Sequence, residues 1–244
     1  MSNDSLSSTE QARTVNDYLD CLQVIMVNTT LPANIGSAAR AMHTMGLSRL
    51  TVVDPKLPID ETSVSHAAGG SELLSSAVIA PTLESAIADC QLVFAASSRS
   101  RHMPRPVVTP TQAAKIMFDF IDTQSALSAN DNNVDTSSDA VSSKPNIAIL
   151  FGREDRGLTN EELACADYHI QIDANPAYPV LNVASAVQVI ASFIFAYAQT
   201  HNQTADSLDE NNDSQSTINV NLRQQWDEPA INQQQLQQLT QRTT

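Results

Sequence analysis

Residues 147–158 have the sequence IAILFGREDRGL. The apolar run 147–150 predicts a buried strand. The octapeptide that follows it, 151–158, holds two of the chain's six glycines and four charged residues. Glycines at such points indicate backbone that turns sharply or lets a ligand approach closely. Because ligands of open α/β sheets bind beyond the carboxyl ends of the strands, we predict that this octapeptide belongs to a functional site.

The alternation of apolar runs and helical spacing continues along the chain. It predicts further strands at 22–27, 50–53, 77–79, 91–96 and 168–172, and helices at 34–45, 61–68, 83–88, 111–121 and 181–197. This order predicts an α/β fold, a mostly parallel sheet with helices on both faces. Four loops that follow strands, at 28–36, 95–106, 151–158 and 173–182, are then expected to meet at one sheet edge.

Composition divides the chain into a tail, a core, an insert and a second tail. Residues 1–20 are rich in Ser, Asp and Asn, which predicts a disordered N-terminal tail. The folded domain is predicted at 21–200, with a disordered insert at 122–144 where hydrophobic periodicity is lost. Residues 201–244 are polar and rich in Gln and Asn, which predicts a C-terminal tail.

Several protein classes are excluded by the same composition. The sequence has no run of 18 apolar residues, so no transmembrane helix and no membrane partner are expected. Residues 1–20 lack the apolar core of a secretory signal, which predicts a cytoplasmic protein. Cys21, Cys90 and Cys165 are widely spaced and form no C-x-x-C pair, so we expect buried free thiols and no metal site.

The distribution of charge matters more than the net charge of −14. The excess of acidic residues argues against nucleic acid, because phosphate binding requires Lys and Arg. Ten of the 13 basic residues are nevertheless Arg, which suits bidentate contacts to phosphate. Seven of the 13 fall in three short segments, at 40–49, 99–105 and 153–156. They are either a local phosphate-binding surface or ordinary solvated charges.

Two kinds of cofactor site fit an α/β sheet with such loops. A dinucleotide site is disfavoured because the G-x-G-x-x-G motif is absent. The other kind holds its cofactor through backbone loops, and three segments match one family of this kind in order. These are N-x-G-x-x-x-R at 34–40, F-G-x-E-x-x-G-L at 151–158, and N-P-x-Y-x-x-L-N-x-A-x-A-V at 175–187.

Together the three segments resemble the motifs of the SPOUT superfamily of RNA 2'-O-ribose methyltransferases. The resemblance covers roughly residues 21–200 and is strongest to the TrmJ group of the TrmH-like branch, which methylates the ribose at position 32 of the tRNA anticodon loop. It implies a C-terminal deep trefoil knot, S-adenosylmethionine bound in the knot, RNA as substrate and a homodimer in which two subunits build each active site. The polar C-terminal tail could be the remnant of a helical extension in longer relatives.

The resemblance also assigns roles to individual positions. The family's catalytic positions fall on Asn34, Arg40, Glu154 and Asn182. Its cofactor contacts fall on Ala96, Ser97, Ser98, Gly152, Gly157, Ile172, Pro179, Val180 and Leu181. The expected RNA contacts are Arg40, His43, Arg99, Arg101, Arg105, Arg153 and Arg156.

Physical chemistry limits what these residues can do. A guanidinium is effectively always protonated, so we interpret Arg40 as a phosphate ligand that stabilises the developing alkoxide. Glu154 would orient Arg40 or Asn34, or alternatively make a helix-dipole contact. Asn34 could instead cap the helix that follows it, and His43 could be an ordinary surface histidine.

The third motif departs from the family at one position. The family usually has Ser before Leu-Asn, whereas this chain has Val180, which has no hydroxyl group. The alternative to a methyltransferase is therefore a catalytically impaired RNA-binding homologue. Val180 and the acidic balance favour that alternative, and the intact Asn34, Arg40, Glu154 and Asn182 oppose it.

Overall fold

The computed structural model describes residues 13–97, 105–130 and 144–206, and within them a seven-stranded sheet forms the centre of the fold. The strands are β1 Leu22–Val27, β2 Arg49–Val53, β3 Val78–Ala80, β4 Leu92–Ala96, β5 Val107–Val108, β6 Ile147–Phe151 and β7 Tyr168–Ile170. Every pairing is parallel, in the order β3-β2-β1-β6-β4-β7-β5. The predicted α/β fold with a parallel sheet is confirmed.

Strand β6, which leads into the octapeptide 151–158, is central in this sheet. It pairs with β1 on one side and with β4 on the other, and all five of its residues are buried. A continuous apolar run is typical of a strand covered on both faces. The strand therefore delivers residues 151–158 to the middle of the carboxyl edge, where a ligand site was predicted.

Helices cover both faces of the sheet. They are α1 Val15–Leu19, α2 Pro32–Thr44, α3 Glu61–Ala67, α4 Ser71–Ser75, α5 Leu83–Ile87, α6 Pro110–Asn130, α7 Asn160–Ala164 and α8 Val183–Asp206, with a 3-10 turn at Ala68–Gly70. The first apolar cluster joins α1, α2, α6 and α8 to alternate residues of β1, and the second joins α5 and α7 to the others. Because successive side chains of a strand point to opposite faces of the sheet, β1 contributes residues to both apolar clusters.

Helix α8 is the main helix of the larger core. Its buried residues recur at helical spacing and are Val183, Ala184, Val187, Ile190, Ala191, Ile194 and Ala198. They pack chiefly against α2 and α6. The part Val183–His201 is long and apolar enough to cross a membrane by length and composition alone, a property that buried core helices share. Its buried face here belongs to the protein core.

Two segments predicted to be disordered are partly helical, which corrects their boundaries, and the predicted polar C-terminal tail begins within a helix. Helix α1 lies within 1–20, helix α6 continues through 122–130, and helix α8 continues to Asp206. Tyr18 stacks on Phe118 with ring centroids 4.6 Å apart, and its hydroxyl donates to Asp122 at 2.7 Å. Polar residues that reach another helix are ordered by that contact, although composition alone indicates disorder. The remainders, 1–12, 131–143 and 207–244, lie outside the described residues, and the trefoil knot stays a prediction.

Candidate functional site

A cavity lies at the carboxyl edge of the sheet, beyond strands β4, β6 and β7. The octapeptide 151–158 forms one wall, and residues from 170–186 form the other. Eight of the nine positions assigned to the cofactor line it, namely Ala96, Ser97, Gly152, Gly157, Ile172, Pro179, Val180 and Leu181. Ser98 lies outside the described residues. Loops that are distant in the sequence therefore meet as the strand order predicts.

The shape of the octapeptide depends on its two glycines. Gly157 has φ +69° and its N–H donates to the carbonyl of Arg153 at 2.9 Å, so the chain folds back on itself. A Cβ at Gly152 would lie 2.2 Å from the backbone of Gly157 and of Leu158. Because the neighbouring atoms are backbone, a side chain at position 152 would force the loop to open.

Glu154 leaves this loop and reaches the start of helix α2. Its Oε2 accepts the N–H of Thr30 at 3.0 Å and the hydroxyl of Thr30 at 2.6 Å. Its Oε1 accepts the N–H of Leu31 at 3.3 Å and the side-chain amide of Asn34 at 2.8 Å. Leu31 is the N-cap of α2 and offers no side-chain acceptor. The carboxylate therefore lies at the positive end of this helix, as the helix-dipole interpretation expected, and it also orients Asn34.

These contacts fix the charge state of Glu154. Partial burial alone would raise the pKa of this carboxyl, but the hydrogen bonds from Asn34 and Thr30 outweigh it and hold the pKa below the ordinary 4.5. Glu154 is therefore a carboxylate at neutral pH. A carboxylate with four donors positions groups, and its lowered pKa makes it a weak base.

A second amide extends the chain of hydrogen bonds. The Nδ2 of Asn182 donates to the Oδ1 of Asn34 at 3.0 Å, and the Oδ1 of Asn182 accepts the N–H of Ala184 at 2.8 Å at the start of α8. One residue from each motif, Asn34, Glu154 and Asn182, thus joins a single polar network. The prediction that Asn34 caps α2 is wrong, because Asn34 is the third residue of this helix and Leu31 is its N-cap.

Arg40 does not join this network. It lies on α2 six residues beyond Asn34, is exposed, and has no side-chain partner among residues 13–97, 105–130 and 144–206. The cavity lining does not include it. The alternative that Glu154 orients Arg40 is therefore wrong within one subunit, and the described part of one chain leaves the predicted site without its cation.

The predicted RNA contacts separate into three groups. His43, Arg105 and Arg156 are exposed, and Arg156 forms an ion pair with its neighbour Asp155 at 2.9 Å. Arg99 and Arg101 lie outside the described residues. Arg153 is only 16% exposed and forms an ion pair with Glu162 at 2.8 Å. We correct the prediction for Arg153, because both terminal nitrogens of its guanidinium are held by protein groups.

Several residues of the site carried no distinct sequence signal. The donors of Thr30 and Leu31 are backbone groups, and Asn28 and Glu162 looked like ordinary loop and capping residues. Among the apolar lining residues, Phe151, Leu158 and Ala186 belong to the motifs, whereas Ile170 and Val183 match no motif residue and were predictable only as core. The position of Ile170 and Val183 close to motif residues in the sequence was the available indication that they line the cavity.

The three cysteines are not among the described residues that line this cavity. Cys21 is buried, and Cys90 and Cys165 are partly buried free thiols whose pKa is raised by burial. In the parts of the chain that the structure describes, no group of three or more His, Cys, Asp and Glu residues could hold a metal ion. Among the described residues, the charged side chains that line the cavity are those of Arg153, Glu154, Asp155 and Arg156.

Comparison with known proteins places this geometry in a family. Residues 21–192 match the SpoU rRNA Methylase family. The tRNA (cytidine/uridine-2'-O-)-methyltransferase TrmJ of Escherichia coli K12 is 39% identical over 173 residues, which are 71% of this chain and 62% of that protein. The chain thus spans 62% of the length of the curated relatives it matches first.

Two solved structures share the fold at similar identity. A probable methylase family protein from Haemophilus influenzae Rd KW20 is 34% identical, with a TM-score of 0.62, over 80% of this chain and 73% of that one. TrmJ from Z. mobilis ZM4 is 32% identical, with a TM-score of 0.60, over 73% of this chain and 70% of that one.

Proposed function

We propose, on the premise that this chain belongs to the SpoU rRNA methylase family, that it transfers a methyl group from S-adenosylmethionine to a ribose 2'-hydroxyl of tRNA. Family membership confirms the resemblance found in the sequence. The observation that carries the proposal is the network of Asn34, Glu154 and Asn182, which joins the three motifs at the carboxyl edge of the sheet. The name of the 39% identical TrmJ relatives supports tRNA as the substrate. The target at position 32 of the anticodon loop and the cytoplasm as the compartment are proposed from the resemblance of the motifs alone.

The cavity fits the proposed cofactor. Apolar side chains of Leu158, Ile170 and Ile172 suit an aromatic base, while the carboxylates of Glu154 and Asp155 at the same cavity suit a cation. The residues that would hold it are Ala96, Ser97, Gly152, Gly157, Ile172, Pro179, Val180 and Leu181. When bound, S-adenosylmethionine supplies a methyl group on a sulfonium that is already a good leaving group.

The polar network then serves to orient the ribose. The Nδ2 of Asn182 carries two hydrogens and one of them is used on Asn34, so the other can position the hydroxyl of the substrate. Glu154 keeps the Asn34 amide from rotating, and Asn34 in turn fixes Asn182. Holding the hydroxyl in line with the methyl group is the main requirement of this reaction.

Arg40 would act on the substrate rather than on the protein. Its guanidinium cannot serve as a base, and it is exposed and free to meet a phosphate. A phosphate held next to the reacting ribose brings the positive charge close to the developing alkoxide. This charge lowers the free energy of the transition state more than that of the bound substrate.

We propose further that the functional unit is a homodimer, because Arg40 lies away from the cavity of its own chain. Exposed apolar side chains surround that cavity and the outer side of α8, including Tyr178 at 80% and Phe193 at 43% exposure. The inner face of α8 is buried in its own core, so only this outer side is available to a partner. In such a dimer Arg40 of one subunit would complete the site of the other.

The dimer has a direct test on the outer side of α8. Light scattering at micromolar concentration is expected to give the mass of a dimer, and Phe193→Glu is expected to give a monomer because a charge is costly in an apolar interface. Leu127→Glu on α6, an equally exposed apolar position, is the matched control and should remain dimeric. A monomeric wild-type protein would contradict the proposal.

Two measurements test the proposed methyltransferase activity: detection of the methylated nucleotide and binding of S-adenosylhomocysteine. Nucleoside mass spectrometry of tRNA from cells with and without the gene should show a 2'-O-methylated nucleotide that depends on the gene. S-adenosylhomocysteine at a hundredfold its dissociation constant should stabilise the protein by about 2.7 kcal/mol, visible as a higher melting temperature. An unchanged melting temperature in folded protein would count against the cofactor site.

The second candidate is an RNA-binding homologue without catalysis, favoured by one observation. Val180 lines the cavity, is 57% exposed and offers no hydroxyl. Nucleoside mass spectrometry separates the two candidates, because a non-catalytic homologue would bind tRNA without producing a methylated nucleotide. A backbone contact to the cofactor at position 180 does not need a hydroxyl, so transfer remains the expected result.

A further inference from the structure

Two consecutive residues of the octapeptide, Arg153 and Glu154, bind the two ends of the segment 28–34. Glu154 binds Thr30, Leu31 and Asn34 at the start of α2. Arg153 points the other way, and its Nη2 donates to the side-chain oxygen of Asn28, the first residue after β1. The short segment 28–34 is therefore attached to the octapeptide at both of its ends.

Arg153 is itself anchored at two further points. Its Nη1 and Nη2 donate to the two carboxylate oxygens of Glu162 at 3.0 and 2.8 Å, and Nη1 also donates to the carbonyl of Gly157 at 3.3 Å. Glu162 belongs to α7 and accepts the N–H of Thr159 at 2.7 Å in the capping box of that helix. The guanidinium thus links the octapeptide, α7 and the end of β1.

Asn28 also binds the residue that follows the neighbouring strand β2. It has φ +49°, and its Nδ2 donates to the carbonyl of Asp54 at 3.0 Å and to the carboxylate of Asp54 at 2.7 Å, just beyond β2. The loop that begins α2 therefore starts from a residue whose side chain is bound on both sides. Without the Arg153 contact, Asp54 would still hold Asn28, but Glu154 would be the one described side chain of the octapeptide that binds segment 28–34.

We propose that Arg153 is a positioning residue for methyl transfer, which acts through Asn28 to hold segment 28–34 and thereby places Asn34 against Asn182. This inference rests on the proposed function for its activity readout. Arg153 lies in the wall of the cavity, but both terminal nitrogens of its guanidinium are bound to protein groups. Its role is to keep the network of Asn34, Glu154 and Asn182 in one arrangement.

The geometry requires an arginine at this position. A planar guanidinium offers several N–H groups in fixed directions and can bind Glu162 through two bonds while it also reaches Asn28, whereas an ammonium is a single point charge. Burial raises the pKa of Glu162, but the bonds from Arg153 and Thr159 outweigh it and lower the pKa overall. Glu162 is therefore a carboxylate, and a guanidinium is always protonated. The side chains of the pair are only 16% and 14% exposed, so loss of either would leave a largely buried charge without its partner.

The alternative for Arg153 is the one expected from the sequence, a contact to an RNA phosphate. The two roles differ in what they change. A phosphate contact contributes to the affinity for RNA and to its dependence on salt. A positioning contact changes the rate of transfer after both substrates are bound, because a displacement of about 1 Å can reduce catalysis by about a hundredfold.

The test compares Arg153→Met with Arg156→Met, two arginines of the same octapeptide. For each variant we would measure single-turnover methylation of tRNA, tRNA affinity at several salt concentrations and affinity for S-adenosylhomocysteine. All measurements are made below the melting temperature of each variant, so that only folded protein is compared. Lys115→Ala, an exposed residue on α6, controls for loss of an unrelated positive charge.

Arg153→Met is expected to lower the single-turnover rate by about tenfold to a hundredfold with an unchanged salt dependence. Arg156→Met is expected to reduce the slope of affinity against salt by about one. Arg153→Lys should remain impaired, because an ammonium cannot bridge Glu162 and Asn28 in the same way. A wild-type rate in Arg153→Met or Arg153→Lys, or a reduced salt slope in Arg153→Met, would overturn the proposal.

A double-mutant cycle tests the route through Asn28. Asn28→Gly removes the contact while keeping a residue that adopts a positive φ without strain. If Arg153 acts through Asn28, the double variant Asn28→Gly with Arg153→Met should be no slower than the slower single variant. Rate losses that multiply would show that the two residues act separately, and the proposal would be wrong.

One readout separates this inference from the proposed function. If wild-type protein methylates no tRNA, the proposed function fails, and amide hydrogen exchange then decides the role of Arg153. The N–H groups of Thr30 and Leu31 should exchange faster in Arg153→Met than in Arg156→Met, because both N–H groups depend on the position of segment 28–34. Equal exchange in the two variants would overturn the positioning role.

Discussion

Replacing Arg40 with alanine is expected to reduce single-turnover methylation of tRNA by about a hundredfold or more, while the affinity for S-adenosylhomocysteine stays at the wild-type value. Arg40 is exposed and has no side-chain partner in the described ranges 13–97, 105–130 and 144–206, so its loss should change stability little. Its charge is proposed to act on the transition state. Losing such an interaction lowers turnover rather than cofactor binding.

The comparison for Arg40→Ala uses a second exposed charge, which lies on a different helix. Lys115→Ala on α6 removes one positive charge from a surface ion pair with Asp119 and should leave the transfer rate unchanged. If Arg40→Ala methylates at the wild-type rate, the catalytic assignment of the first motif is wrong. Transfer would then depend on another group to stabilise the developing alkoxide.

Gly152→Ala is expected to have the largest effect on the fold of the site. The added Cβ would lie 2.2 Å from backbone atoms of Gly157 and Leu158, and backbone cannot move aside as a flexible side chain can. Overpacking of this kind costs typically 1–3 kcal/mol and at backbone contacts about 3 or more. For a chain of this size about 3 kcal/mol corresponds to a melting temperature lower by roughly 6–12 °C.

The cavity should be lost together with this stability, because Gly152 and Gly157 both line it. S-adenosylhomocysteine is therefore expected to raise the melting temperature of wild-type protein and to leave that of Gly152→Ala unchanged. Gly69→Ala is the matched control, since a Cβ at Gly69 meets nothing within 4 Å. A variant Gly152→Ala with wild-type melting and ligand response would contradict the close approach of the two loop segments.

The sequence alone determined the elements that depend on local pattern. Apolar runs and helical spacing predicted six of the seven strands and the parallel sheet, because alternation and periodicity report which residues face a core. The strand Val107–Val108 was missed, since two residues carry no period. The three motifs identified the family, and two of them, at 151–158 and 175–187, contribute most of the residues that line the cavity.

Tertiary structure alone decided which charged residues face inward and which stay on the surface. Arg153 and Arg156 are three positions apart in one loop, yet Arg153 is bound to Glu162 while Arg156 is 69% exposed. Nothing in the local sequence distinguishes them, because the difference depends on a partner on another element. Asp122 was assigned to a disordered insert for the same reason, although the hydroxyl of Tyr18 binds it from a distant helix.

The network of Asn34, Glu154 and Asn182 shows both contributions. The sequence motifs predicted these three residues as site residues. Asn34 and Glu154 are 120 positions apart in the chain, and Asn34 and Asn182 are 148 positions apart. Their contacts follow from strand order, which places β6 beside β1 and brings the start of α2, the octapeptide and the start of α8 to one edge. Pattern reports the environment of a residue, but a contact between distant segments depends on the path of the chain, and only the folded structure contains that information.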